Sequence, residues 1–349
     1  MDKPLVSIVL ITYNGKELLA RYLPTIVSLS YNNKEIIIVD NASTDGTKEF
    51  LEQNFPQVQV IRTEKNEGTA EGSNIGARAA KGDLIFWLHN DMHLAPYTLD
   101  RMVTKITSSE RIGICTCKVK KMTAEGEFLN TIDSVGGGLD KYGFPVARGM
   151  GEEDKAQYDD IEKTFFAFGG PLMIKTHVFN ELGGMDPYTF TLADDIDLCW
   201  RCWLLGYDVV VDTGTVIYHR LSATLSSFAR ENKRYLSERN TLRMLIKNYS
   251  STSLLRALPV YLALVLAEIC FFIAVRKTHL VWADLRAIGW NLVHLGNTLH
   301  ERRKVQRTRR AKDSEMSSFM EQRSFKLAYF KWFMSNRSDP AWQSYLNTK

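Results

Sequence analysis

The stretch "EIIIVDNASTDGTKEFLEQNF", residues 35–55, decides the fold. Its first six residues are an apolar run of strand length that ends in a carboxylate, Asp40; a turn-forming "NASTDG" follows, and "TKEFLEQNF" reads as a helix. A strand with no polar alternation has to be covered on both faces. The same pattern recurs in "LVSIVLIT" (5–12), "VQVIRT" (58–63) and "DLIFWLH" (83–89), with helical patterns such as "KELLARYLPTIVSL" and "GSNIGARAAKG" between them. Strands joined in this way by helices predict an α/β fold, a parallel sheet with helices on both faces.

In open sheets of this kind, ligands collect at the carboxyl ends of the strands. Those ends read "TYNG", "VDNASTDG", "EKNEGTAEGSN" and "LHNDMH", rich in glycine and hydrogen-bonding side chains. The first of them carries one glycine where a dinucleotide site needs G-x-G-x-x-G, which counts against NAD or FAD.

At 349 residues, 45% hydrophobic and 24% charged, the chain can bury a core of catalytic size with an extension attached. A net charge of +4 is too small at this length to argue for nucleic acid. The start, "MDKPLVSIVLIT", enters a strand without the pattern of a secretory leader, so a cytoplasmic location is expected. Cys115, Cys117, Cys199 and Cys202 lie in apolar runs, with no second pair at metal-site spacing, and read as core residues. The segments "SVGGGLDKYGFP" (134–145) and "GEEDKAQYDD" (151–160) read as loops over the sheet, able to close on a substrate.

Three groups of residues carry chemistry. Asp91, in "FWLHNDMHLAP", stands among His89, Asn90 and His93 at a strand end, where oxygen and imidazole ligands suit Mg²⁺ or Mn²⁺; the competing reading is a cap for the helix of "APYTLDRM". In "TLADDIDLCWRCW" (191–203), apolar residues at Ile196, Cys199, Trp200 and Trp203 mark one buried helix face, so Asp194 and Asp195 fall at the helix start. Asp197 pairs with Arg201 four residues on. The helix dipole explains one further aspartate but not two, because adjacent carboxylates repel unless a cation, substrate or proton compensates. The spare carboxylate is a candidate general base. His219, at the end of "VVVDTGTVIYH", reads as structural unless other ligands join it.

Six motifs then fall in order: "SIVLITYNG" (7–15), "IIIVDNASTDGT" (36–47), "NEGTAEGSNIGARAAKGD" (66–83), "LHNDMHLAP" (88–96), "GGMDPYTFTLADDIDLCWRCWLLGYDV" (183–209) and "YHRLSAT" (218–224). Together they resemble the family 2 glycosyltransferases, in particular the rhamnosyltransferase-like members acting on cell-surface polysaccharides. The resemblance implies the GT-A fold, a Rossmann-like mixed sheet with helices on both faces. It implies that Thr12, Tyr13 and Asn14 lie near the nucleotide, that Asp40 accepts the N3–H of uracil or thymine, and that Asn66, Gly68, Gly72, Asn74 and Asn90 line the nucleotide and sugar. Asp91 matches the last aspartate of the D-x-D-like metal motif, and His219 a histidine that completes the metal shell. Asp195 matches the proposed base, with Asp194 in the position of the usual Glu. His89 departs from the family by replacing the motif's first acidic residue, so that fewer carboxylates stand at the metal position. The implied reaction is direct inverting transfer from dTDP-rhamnose or a UDP-sugar to a saccharide or polyprenyl-linked acceptor. A sugar nucleotidyltransferase and an inactive glycosyltransferase-like scaffold are the alternatives.

The expected layout is a catalytic domain over 1–230, its nucleotide-sugar half about 1–110 and its acceptor half about 111–230, followed by a helical extension over 231–349. Within the extension, "LPVYLALVLAEICFFIAV" (258–275) is apolar except for Glu268 and barely long enough to span a bilayer. After it, residues 283–312 form an amphipathic pattern ending in Arg302, Arg303, Lys304, Arg307, Arg309, Arg310 and Lys312. In-plane attachment to an anionic membrane at the cytoplasmic face is the expectation, ahead of a span or a packed subdomain. Nucleic acid is not expected, since no RNP-type, zinc or helix-turn-helix pattern accompanies the basic run.

Overall fold

The computed structural model describes residues 3–168, 170–220, 229–321 and 324–328. The second half of the "YHRLSAT" motif and the chain after residue 328 lie outside the described residues.

The chain begins with strands β1 (Val6–Thr12), β2 (Lys34–Asp40), β3 (Gln59–Arg62) and β4 (Leu84–His89), alternating with helices α1 (Lys16–Val27), α2 (Thr47–Asn54) and α3 (Gly68–Ala79). These four strands are parallel. The chain then passes through β5 (Met92–Leu94), α4 (Thr98–Thr107), β6 (Ile112–Met122), β7 (Phe128–Ser134), the hairpin β8 (Gly137–Asp140) and β9 (Pro145–Ala147), β10 (Leu172–Lys175), α5 (Thr176–Leu182), α6 (Asp194–Leu204) and β11 (Asp208–Arg220). The sheet order is β3-β2-β1-β4-β10-β6-β11-β5, with β7 also paired to β6. It is mixed: β10 runs antiparallel to β4 and β6, and β5 antiparallel to β11.

The apolar runs have a direct explanation. Val9, Ile37 and Ile85 enter the core on one face of the sheet, and Ile8, Leu10, Ile38 and Phe86 that on the other. Alternate residues of one strand fill two layers, so no polar position is left. Cys115, Cys117, Cys199 and Cys202 are buried, unbridged core residues. One expectation is corrected: residues 137–147 form the β8–β9 hairpin rather than a loop, and Met320–Glu321 adds a third strand to it.

The long helices that follow are α7 (Arg230–Asn248), α8 (Ser251–Ala274), α9 (Thr278–Val293) and α10 (Leu295–Thr308). Leu242, Met244 and Leu245 of α7, and Tyr261, Val265 and Ile269 of α8, enter the same core as Phe165 and Trp200. The helical extension is therefore packed into the body of the molecule.

Candidate active site

Strand register builds the first part of the site. Thr12 stands opposite Asp40, and Ile11 opposite His89, so the ends of β2, β1 and β4 form a row. Asn90 continues it by donating from Nδ2 to Thr12 Oγ1 at 2.8 Å. At the far end β5 pairs with β11, and the register sets His219 opposite Met92, one residue from Asp91.

Asp40 is fully buried. Its Oδ1 accepts the Ser43 backbone N–H at 2.9 Å, while Oδ2 has no hydrogen-bond partner; the Arg62 guanidinium is 3.6 Å away. Asp91 is also buried, with Oδ1 lacking a hydrogen-bond partner although His219 Nε2 stands 3.3 Å from it. These are the two buried carboxylate oxygens without a hydrogen bond among the described residues. A buried acceptor left without a hydrogen bond costs about 1–3 kcal/mol, more if charged.

His89, Asp91 and His219 bring one ligand atom each to within 4.8 Å of one another. Asp91 lies in the turn between β4 and β5, and α4 begins at Thr98 after Tyr97, so Asp91 does not cap that helix. The other ring nitrogen of His219, Nδ1, is 2.8 Å from Asp133 Oδ2 on β7. Burial lowers the pKa of this imidazole, but the carboxylates of Asp133 and Asp91 outweigh it and raise the value to about 9. A carboxylate behind a histidine that faces a second carboxylate is the arrangement that orients a metal-binding imidazole. Two imidazoles with one carboxylate fit Mn²⁺ better than Mg²⁺, which prefers an all-oxygen shell. Sequence reading missed Asp133, which lies 86 positions from its partner in a strand with no motif of its own.

The remaining predicted nucleotide residues divide. The side chain of Tyr13 is exposed beside the row. Asn14, at φ 50°, accepts the Thr44 N–H on Oδ1 at 2.8 Å and so ties the β1–α1 loop to the β2–α2 loop. Asn66 accepts the Gly68 N–H at 2.9 Å, shaping the start of α3. Gly68, at φ 78°, faces the Phe190 backbone, and a Cβ there would lie 2.2 Å from Phe190 O. At Gly72 a Cβ would meet Ile11 Cγ2 at 3.0 Å, so α3 lies close against β1. Asn74 points elsewhere: its amide pairs with the Met185 backbone through Nδ2 to O at 3.0 Å and N to Oδ1 at 2.8 Å.

The aspartate pair opens α6. Ala193 precedes it in the left-handed conformation, and Asp194, Asp195 and Asp197 form the first turn. Asp194 Oδ2 accepts from Thr69 Oγ1 at 2.8 Å, which ties the start of α6 to α3. Burial pushes the Asp194 carboxyl above its ordinary pKa, against the lowering effect of that hydrogen bond. Asp195 Oδ1 accepts the Ile196 N–H at 2.8 Å. Asp197 is buried and held by Arg201, at 2.8 Å, as its spacing predicts, and also by Lys247 at 2.8 Å.

The buried Asp40 at the end of β2, the His89, Asp91 and His219 group at the ends of β4 and β11, and the aspartate pair of α6 facing α3 through Thr69 make up the candidate site. Residues 7–183 match the glycosyl transferase family 2. The chain belongs to that family. A mouse relative, the inactive polypeptide N-acetylgalactosaminyltransferase-like protein 5, is 27% identical over 69% of this chain and 58% of its own length. The chain spans between 25% and 58% of the length of the first curated relatives it matches. Among solved structures, GalNAc-T7 with UDP, GalNAc and Mn²⁺ superposes with a TM-score of 0.59 at 19% identity, covering 72% of this chain and 49% of that one. A mannosyltransferase from Pyrobaculum calidifontis with GDP-Man and Mn²⁺ gives 0.53 at 16% identity, covering 88% and 86%.

Proposed function

We propose that the protein is an inverting glycosyltransferase that moves a sugar from dTDP-rhamnose or a UDP-sugar to a saccharide or lipid-linked saccharide in cell-surface polysaccharide synthesis. The observation that carries this is the pair of buried carboxylate oxygens without a hydrogen bond, Asp40 Oδ2 and Asp91 Oδ1, each with only a longer-range cationic neighbour, Arg62 at 3.6 Å and His219 at 3.3 Å. Asp40 Oδ2 is an acceptor for a base that offers an N–H, which uracil and thymine do at N3. Asp91, His219 and His89 would hold Mn²⁺ or Mg²⁺; the cation supplies charge neutralisation for a diphosphate. Asn14, Asn66 and Gly68 fix the loops that frame the nucleotide. Asp195 takes the proton of the acceptor hydroxyl as its oxygen attacks the anomeric carbon and the nucleoside diphosphate departs. Asp194, with its carboxyl raised by burial and fixed on Thr69, orients the acceptor side.

The catalytic domain over 1–230 would work on a membrane surface. Helix α8 is long and apolar enough to cross a bilayer, yet its one carboxylate, Glu268, turns inward to Arg234 at 3.0 Å and Lys326 at 2.5 Å. A span would break these pairs; the exposed Leu255, Leu266, Trp282 and Leu292 of α8 and α9 support attachment in the plane of an anionic membrane instead. A polyprenyl-linked acceptor would reach the site from that surface.

The test is release of nucleoside diphosphate from UDP-glucose, UDP-N-acetylglucosamine, dTDP-rhamnose and GDP-mannose, with Mn²⁺, Mg²⁺ or EDTA. One donor is expected to be consumed and EDTA to stop it. Asp195→Asn is expected to lower turnover by about 10²–10⁴-fold with nucleotide binding retained. The likeness to a relative named as inactive favours a second reading, a non-catalytic scaffold. Unchanged turnover in Asp195→Asn sinks the base assignment, and no release from any donor favours the scaffold.

A further inference from the structure

The loop that delivers the aspartate pair, residues 186–193, is unusual in its backbone. Phe190, Leu192 and Ala193 take φ values of 62°, 68° and 64°, a region that side-chain-bearing residues rarely occupy. Strained conformations of this kind persist only where surrounding groups hold them, and they cluster where function needs a fixed geometry.

The loop is held from two sides. On the nucleotide side, Phe190 O accepts the Ala70 N–H of α3 at 3.1 Å, and Thr69 holds Asp194. On the other side stands α7. Asn240 Nδ2 donates to the carbonyls of Thr189 at 2.9 Å, Thr191 at 2.9 Å and Leu192 at 2.7 Å. Arg239 Nη2 donates to Tyr188 O at 3.0 Å and Thr189 O at 2.6 Å, and its Nε donates to Asn240 Oδ1 at 3.0 Å. Asn240 is 0% exposed. The same helix also fixes both ends of the loop: Arg243 and Lys247 reach Asp186 at 2.8 and 2.6 Å, and Lys247 reaches Asp197 at 2.8 Å.

We infer that Arg239 and Asn240 are positioning residues for the general base: α7 grips the carbonyls of the strained loop and thereby sets where Asp195 meets the acceptor. This deepens the proposed function and rests on Asp195 as the base. Helix α7 is then a working part of the catalytic unit. Its grip is braced by α9, where Asn291 Nδ2 donates to Arg239 O at 3.0 Å and the Trp290 ring lies 4.7 Å from the Arg239 guanidinium. A base displaced by about 1 Å loses on the order of 10²-fold in rate, whereas nucleotide binding, built on β1, β2 and β4, is untouched.

The test uses the whole chain with Mn²⁺ and the nucleotide sugar it hydrolyses fastest. Water as acceptor needs a base to take its proton. Azide does not: its nitrogen forms the bond to the anomeric carbon as the carbon–oxygen bond to the diphosphate breaks, and the nucleoside diphosphate leaves. In Asp195→Ala, Asn240→Ala and Arg239→Gln, hydrolysis is expected to fall by about 10²-fold, nucleoside diphosphate affinity to stay within about twofold, and azide to restore donor consumption. Arg239→Lys, which keeps a cation near the carbonyls, is expected to recover part of the hydrolysis rate. Amide hydrogen exchange over 189–193 is expected to quicken in Asn240→Ala and Arg239→Gln and to be unchanged in Asp195→Ala. Normal hydrolysis in both α7 variants, lost hydrolysis that azide does not restore, or unaltered exchange in the loop overturns the inference. Normal hydrolysis in Asp195→Ala overturns the base assignment itself, whatever the α7 variants do. If Asn240→Ala does not fold, Arg239→Gln carries the same comparison.

Discussion

The sheet and the C-terminal helices differ in what else they bury and expose beside their apolar core residues. In the sheet, Ile8, Val9, Leu10, Ile37, Ile38 and Phe86 are all fully buried. In the helices, the buried set includes Arg239, Asn240, Arg243, Lys247 and Asp284, while Leu266, Trp282, Leu292 and Val293 stand 60%, 65%, 68% and 81% exposed. Apolar area left in water forgoes about 25 cal/mol per Å². The difference is accounted for if the outer face of α8 and α9 meets lipid and the inner face serves the aspartate loop through hydrogen bonds and charge.

The sharpest way to break this contrast is to make one substitution in both regions. Leu10→Glu places an unpaired carboxylate in the core on one face of the sheet, with Ile8, Ile38 and Phe86, and is expected to cost more than about 4 kcal/mol, enough to prevent folding. Leu266→Glu is expected to change stability in aqueous buffer by less than about 0.5 kcal/mol. Equal losses of soluble, cooperatively melting protein would remove the contrast.

The buried charges come next. Lys247→Met leaves Asp186 and Asp197 short of a cation inside the molecule, with an expected cost of about 3–5 kcal/mol measured by denaturant unfolding. Burial raises both carboxyls, but the lysine and the arginines outweigh it and hold Asp186 and Asp197 below the ordinary carboxylate range. Groups with lowered folded-state pKa contribute stability that is present above the unfolded value of about 3.9 and lost as pH falls below it. The wild-type melting temperature should therefore drop as pH falls through that region, and the dependence should be shallower in Lys247→Met.

The two regions also differ in how far sequence reading reached. The strands were legible because two-sided burial leaves an uninterrupted apolar run, and the α6 start because Asp197 and Arg201 keep helical spacing. Asp40, Asp91 and His219 were singled out by motif, and the structure brings Asp91 and His219 together through the β5–β11 register. Asp133, Arg239 and Asn240 were not found. Each acts on a partner about 50 or more positions away, and the pairing appears only once strands or helices are packed. The β8–β9 hairpin was missed for a related reason, its glycines having the composition of a loop. The seven-residue basic run also proved mixed. Arg302 donates to the carbonyls of Ile246 and Tyr249, Arg309 pairs with Asp313 and Arg310 with Glu181.

On the outer face, Leu266→Ser and Leu292→Ser each remove a side chain whose transfer out of water is worth about 1.5–3 kcal/mol when complete. Each should weaken binding to vesicles containing anionic lipid by about tenfold in a sedimentation assay, with melting unchanged. A water-facing surface would show no vesicle binding to lose.

The smallest effect separates the two kinds of basic residue within one helix. Arg303 and Arg307 are exposed on α10, whereas Arg302 is turned into the C-terminal end of α7. A lysine or arginine near an anionic surface contributes about 1 kcal/mol, so Arg307→Gln should weaken vesicle binding by about fivefold, and by less as salt is raised. Arg302→Gln should leave vesicle binding unchanged and lower the melting temperature, because it abandons two carbonyls at the end of α7, the helix that also carries Arg239, Asn240 and Lys247. If the two substitutions behave alike on vesicles, the basic run acts only as diffuse charge, and the division of α10 into an inner structural row and an outer lipid-facing row fails.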